Sequence, residues 1–210
     1  MSIITAIRNG KHMEKRANLF LDGKFAFSVD KEKVVQEGLK VGLELSSDRL
    51  DKLMTSLNLG RCVDAAYRYL SYRPRSEAEL RERLQRRGFP MVHIEQALNK
   101  LKEQGLLDDV SFARFWAENR ATFRPRSRGM TRNELLKKGI AEDIIVQAVS
   151  EIDEAESAYR AATAKARRLS RLDYPEFRQR LGEFLRRRGF TYDIISRTVR
   201  RVWHEMREQK

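Results

Sequence analysis

The sequence predicts a mainly α fold: three tandem three-helix repeats in an elongated curved array, with a small N-terminal β-rich module. Three observations carry this. A basic corner recurs as Arg86-Arg87-Gly88-Phe89, Lys137-Lys138-Gly139-Ile140 and Arg187-Arg188-Gly189-Phe190, its glycines 51 and 50 residues apart. A fixed period of that size is the mark of a repeat architecture. Downstream of each corner, Ile94, Ile145 and Ile195 are followed at offsets 3, 4 and 7 by small or apolar residues (Ala97, Leu98, Leu101; Ala148, Val149, Ile152; Thr198, Val199, Val202), the spacing of one helical face. Upstream, Asp22-Gly23 separates two alternating stretches, a hairpin signal.

Taken in order, residues 1–45 form the β-rich module. Ile3–Arg8 favours an extended chain, and Arg16–Leu21 and Lys24–Val29 pair across the Asp-Gly turn, with Phe25, Phe27 and Val29 on one face. Asp30 caps a short helix ended by Gly38, and Lys40–Leu45 returns as a further strand. A connecting helix, 46–60, starts at Ser46 or Ser47. Repeat 1 spans 61–107, repeat 2 spans 108–152 and repeat 3 spans 153–210. Ser76 with Glu79 and Thr131 with Glu134 read as capping boxes, and Asp108 or Asp109 as the cap that opens repeat 2. In each unit the glycine stops a helix by taking the left-handed conformation, and a cation before it suits the negative end of the helix dipole. A β-branched residue at Gly88 is therefore expected to damage folding. In such an array neighbouring repeats bury one another's apolar faces.

The 210 residues are 41% apolar and 35% charged, with a net charge of +13. Residues 1–59 hold 10 Lys+Arg against 8 Asp+Glu, and residues 60–210 hold 33 against 22, so the repeats carry the charge. That balance implies an anionic partner: nucleic acid, a nucleoprotein or an acidic protein face. The single cysteine, Cys62, excludes a disulfide framework. No apolar run is long enough for a membrane span, and charges interrupt the first residues, so a soluble, cytoplasmic, monomeric protein is expected.

Little in the chain could run a reaction. His12, His93 and His204 are scattered, and Cys62 lies on an apolar helical face, so neither a zinc site nor a nucleophile is expected, and no cofactor. Trp116 and Trp203 have core spacing. What remains is the cation distribution: Arg81, Arg86 and Arg87 in repeat 1; Arg124, Arg126, Arg128, Arg132, Lys137 and Lys138 in repeat 2; Arg186, Arg187 and Arg188 in repeat 3. Two readings compete, a solvated basic face or a strip on aligned corners that recognises a polyanion. The Arg124–Arg132 loop is the sharpest candidate, being more basic than a connection needs. On that reading, Ala at 124, 126 and 128 together leaves stability unchanged and weakens binding.

Several of these segments resemble the RecX family of regulatory proteins. They are Ser76–Phe89, Leu106-Leu107-Asp108-Asp109 with Phe112-Ala113, Glu134-Leu135 with Lys137-Lys138-Gly139-Ile140, and Phe184–Phe190. The resemblance covers the helical part, and the N-terminal hairpin is similar to an extension that some members carry. It implies a non-enzymatic modulator that binds the RecA filament on single-stranded DNA and mostly inhibits strand exchange, ATP hydrolysis and co-protease activity. A stand-alone basic nucleic-acid-binding repeat protein is the alternative. The resemblance assigns no contact residues; the cations above come from repeat geometry.

Overall fold

The computed structural model describes residues 1–10 and 13–208; His12 lies outside them. Strands β1 (Ser2–Gly10), β2 (Met13–Leu21) and β3 (Lys24–Asp30) form an antiparallel meander, and the two-residue β4 (Glu44–Leu45) joins β1, giving the order β3-β2-β1-β4. The hairpin turn is as expected: Asp22 and Gly23 both have positive φ, +49° and +78°, the pair that a type I′ turn requires. Two details differ. A register shift between Leu19 and Phe20 places a bulge at Ala26. Phe27 and Val29 therefore face the core, while Phe25 is 58% exposed and meets Phe20 edge-on. The return strand shrinks to Glu44–Leu45, and Asp30 does not cap the short helix α1 (Lys31–Gln36) but lies 3.6 Å from Arg16.

Helix α2 (Ser47–Tyr72) is one unbroken rod of 26 residues across the expected division at residue 60, capped by Ser46, whose hydroxyl accepts from the Arg49 amide. Its first half, through Leu50, Leu53, Met54 and Leu57, covers the sheet around Ile4, Leu19, Phe27, Val29 and Leu45. Its second half is the first helix of repeat 1, completed by α3 (Glu77–Arg86) and α4 (Met91–Glu103). Repeat 2 is α5 (Asp109–Phe123), α6 (Arg128–Leu136) and α7 (Glu142–Ser150). Repeat 3 is α8 (Glu154–Ala166) with a 3-10 turn at Arg167–Leu169, then α9 (Tyr174–Arg186) and α10 (Tyr192–Glu208).

Each repeat has its own buried cluster. Leu80, Leu84, Ile94, Leu98 and Leu101 centre the first; Phe112, Leu135 and Ile145 the second; Phe177, Leu181, Leu185 and Val199 the third. A fully buried Leu or Ile contributes about 1.5–3 kcal/mol, so these clusters are where the apolar stabilisation of each unit sits. The expectation that neighbours share apolar faces is thereby corrected: the contacts joining the repeats described below are mostly polar.

Candidate recognition surface

The three corners share one local geometry. Gly88, Gly139 and Gly189 have φ of +85°, +74° and +86°. At each, the amide of the next residue donates to a carbonyl five residues back: Phe89 to Leu84, Ile140 to Leu135, Phe190 to Leu185. The glycine amide donates three residues back, to Gln85, Leu136 and Arg186 respectively. This is the paired helix stop that a glycine at the position after the cap permits.

Their surroundings differ. A Cβ on Gly139 would run into the Ala78 Cβ, and one on Gly189 into Met130 and Ser127, whereas one on Gly88 would meet nothing within 4 Å. The second and third corners are thus docked onto the preceding repeat. The socket is the twice-occurring Arg-Pro-Arg-Ser segment, residues 73–76 and 124–127. Ser76 caps α3 and its hydroxyl donates to the Lys138 carbonyl at 2.6 Å. Lys138 Nζ reaches Glu79 at 2.7 Å, and Arg73 grips the same carboxylate through two nitrogens at 3.0 and 3.1 Å. At the next junction the Ser127 amide donates to the Arg188 carbonyl at 3.1 Å, and Arg188 donates to the Pro125 carbonyl at 2.7 Å while lying 4.5 Å from the Phe184 ring. Burial acts on the Glu79 carboxyl in the raising direction, but the hydrogen bonds from Arg73 and Lys138 outweigh it and hold the group at about 2.

This arrangement sorts the twelve predicted cations. Lys138 and Arg188 are built into junctions. Arg81 bridges Glu77 and Glu95 at 2.6 and 2.8 Å. Arg126 pairs with Glu134, which also takes Arg120 at 2.6 Å and the Trp116 indole at 2.8 Å. Arg128 donates from its amide to Glu154 and from its side chain to the Ile152 carbonyl, both at 2.7 Å. Arg132 pairs with Glu142 at 2.8 Å. The expectation that folding does not require the Arg124–Arg132 loop to be so basic is therefore corrected, because most of its charge holds repeat 2 together and ties it to repeat 3.

The other six cations have no partner outside their own helix. Arg87, Arg124, Lys137 and Arg186 are exposed and, among the described residues, have no carboxylate within ion-pair distance. Arg86 and Arg187 touch only glutamates of their own helices, Glu82 and Glu183, and stay 74% and 67% exposed. Pairs this exposed are worth about 0–1 kcal/mol, so neither guanidinium is strongly held. Arg87, on the one undocked corner, lines a cavity of about 350 Å³ with Arg16 and Asp30 of the sheet and Arg61, Asp64 and Arg68 of α2.

Capping also departs from expectation at α6. Ser127, not Thr131, is the cap, accepting from the Met130 amide at 3.2 Å, and Thr131 is buried one turn inside the helix. The match of Ser127 to Ser76 in the repeated tetrapeptide was the available signal. Cys62, His93 and His204 lie outside these corners. Cys62 is fully buried and burial pushes its thiol up to about 11. His93 is buried in the repeat 1 core and His204 is exposed on α10. Among the described residues no three His, Cys, Asp or Glu side chains converge as metal ligands, and no helix is long and apolar enough to cross a membrane.

Comparison with known proteins follows the same division of the chain. The RecX N-terminal domain matches residues 2–46, and the RecX first, second and third three-helix domains match residues 62–101, 108–149 and 151–199. The regulatory protein RecX of Bacillus pumilus is 30% identical over all of this chain and 81% of its own length. The chain belongs to the RecX family. The RecX of Clostridium perfringens is 28% identical across 96% of this chain and 97% of its own. A crystal structure of a regulatory protein RecX superposes with a TM-score of 0.66 at 27% identity, covering 94% of this chain and 98% of that one. Relatives across the whole chain are named as regulatory proteins.

Proposed function

We propose that this RecX-family chain docks on a RecA filament formed on single-stranded DNA and restrains its recombinase, ATPase and co-protease activities without chemistry of its own. The observation that carries this reading is the set of exposed cations left at the turns. Arg86, Arg87, Lys137, Arg186 and Arg187 lie at helix ends closed by glycine stops, Arg124 ends α5 ahead of Pro125, and none of the six is consumed by a carboxylate of another element. Exposed arginines match phosphate or carboxylate in planar, bidentate geometry. The clamped cations serve a second purpose: they set the spacing of the repeats, and so of the exposed turns.

The test is a titration of the protein into RecA turning over ATP on single-stranded DNA. Substoichiometric to stoichiometric amounts lower the steady-state rate, and the effect weakens with added salt as screening grows. An ATPase rate unchanged at stoichiometric amounts removes the proposal.

A further inference from the structure

We propose that the groove between α9 and α10 of repeat 3 binds a single strand of nucleic acid directly, independently of any filament protein. The first two repeats fill the equivalent position with an arginine. Seven residues before the corner glycine, repeat 1 has Arg81 and repeat 2 has Arg132. Each is a strut to the third helix of its own repeat: Arg81 to Glu95, Arg132 to Glu142, both at 2.8 Å. Repeat 3 lacks the strut at both ends. Gly182 stands in the arginine position, and Ser196 and Tyr192 stand where Glu95 and Glu142 are.

The result is an open groove of about 580 Å³ whose floor is Gly182, Ile195 and Val199. The ideal Cβ of Gly182 would sit 3.7 Å from Ile195, so the missing side chain is what opens the space. Arg178, Arg186 and Arg200 line it, and among the described residues none of the three has a carboxylate partner or a side-chain hydrogen bond. Tyrosines stand at its rim: Tyr192 is 75% exposed, and Tyr174 is held against Trp203 with ring centroids 5.3 Å apart. Helix α9 also begins 15 residues before its glycine, against 11 for α3 and α6, and the added turn brings Tyr174 and Arg178 alongside.

Glu183 also lines the groove, 4.0 Å from Arg187, so three unpaired arginines outnumber one carboxylate. A cationic groove flanked by tyrosine rings suits a single strand, whose bases stack on rings while its phosphates meet arginine. An acidic protein segment would use the arginines but leave both tyrosine faces without a matching group, which favours the nucleic acid.

The test measures binding of a fluorescently labelled oligodeoxynucleotide to the full chain, with no RecA present, by anisotropy. Gly182→Arg restores the strut position and fills the groove. It should weaken binding about tenfold, the scale of one lost base stack, although it adds a positive charge. Tyr192→Ala should weaken binding without altering its salt dependence. Arg178→Ala with Arg200→Ala should reduce the slope of log affinity on log salt by about 0.7 for each phosphate contact removed. Thermal melts check that each variant folds. Equal or tighter binding by Gly182→Arg overturns the proposal. So does a result in which only a poly-glutamate peptide is sensitive to Gly182→Arg, which would assign the groove to an acidic protein segment. Either failure leaves the filament reading standing, since that is read with RecA present.

Discussion

Glu79 is the residue on which the junction of repeats 1 and 2 turns, because it takes Arg73 from its own repeat and Lys138 from the next. Its carboxyl is depressed from its ordinary 4.5 to about 2, so the stability it contributes is complete above pH 4.5 and is lost as pH falls toward 2. Between pH 7 and pH 3 the loss amounts to about 2 kcal/mol. Urea melts of the wild type and Glu79→Gln across that range check this: the gap between them should close as the pH drops, and a constant gap contradicts it. Asp109, which accepts from the Glu77 amide at 2.8 Å, is pushed the other way by burial and partly offsets the trend. The glycines give a second prediction. Alanine at Gly88 carries only the strain of positive φ, about 1 kcal/mol, whereas alanine at Gly139 or Gly189 adds a collision with Ala78 or with Met130 and Ser127. Chemical denaturation should rank Gly139→Ala and Gly189→Ala well below Gly88→Ala in stability. The sequence announced the backbone requirement at all three positions. It was silent on the collisions, which depend on a neighbour about 60 residues away.

At the scale of elements, Glu134 of α6 collects Arg120 and the Trp116 indole from α5 and Arg126 from the connecting loop. Its side chain is only 16% exposed, so removing it strands two arginines with partial desolvation. Glu134→Ala should therefore lower stability by about 3 kcal/mol, near the lower end of the effect of breaking a buried pair, read by thermal or urea melts. A change under half of that would show that the cluster is solvated and that the loop's charge is surplus after all. Helix existence and most helix ends were legible, because apolar spacing and glycine stops are local signals. Loop charge was not, because an arginine clamped by a carboxylate and an arginine facing solvent have the same sequence. The bulge at Ala26 was hidden for a similar reason: alternation predicts which face a residue joins only while the register holds, and Phe25 lies beyond the break.

For the whole molecule, separate cores joined by polar contacts give an array whose repeats are individually closed and whose spacing is set by a few hydrogen-bonded groups. The period in the sequence revealed the number of repeats and the recurring turns. What it hid was the asymmetry among them: the first corner is undocked, the middle repeat is both plug and socket, and the third has lost the Arg-Pro-Arg-Ser socket and opened a groove instead. The candidate site was accordingly legible as a set of cationic turns but not as the six residues left without a partner outside their own helix. On the proposed reading, these surface cations rather than the clamped ones engage the partner. It is tested most directly by comparing Arg86→Glu/Lys137→Glu/Arg187→Glu with the wild type in inhibition of RecA ATPase on single-stranded DNA. The triple variant should melt within a few degrees of the wild type and inhibit at least tenfold more weakly, as three reversed contacts of about 0.5–1 kcal/mol each require. Inhibition at wild-type concentrations by a folded triple variant would contradict the claim.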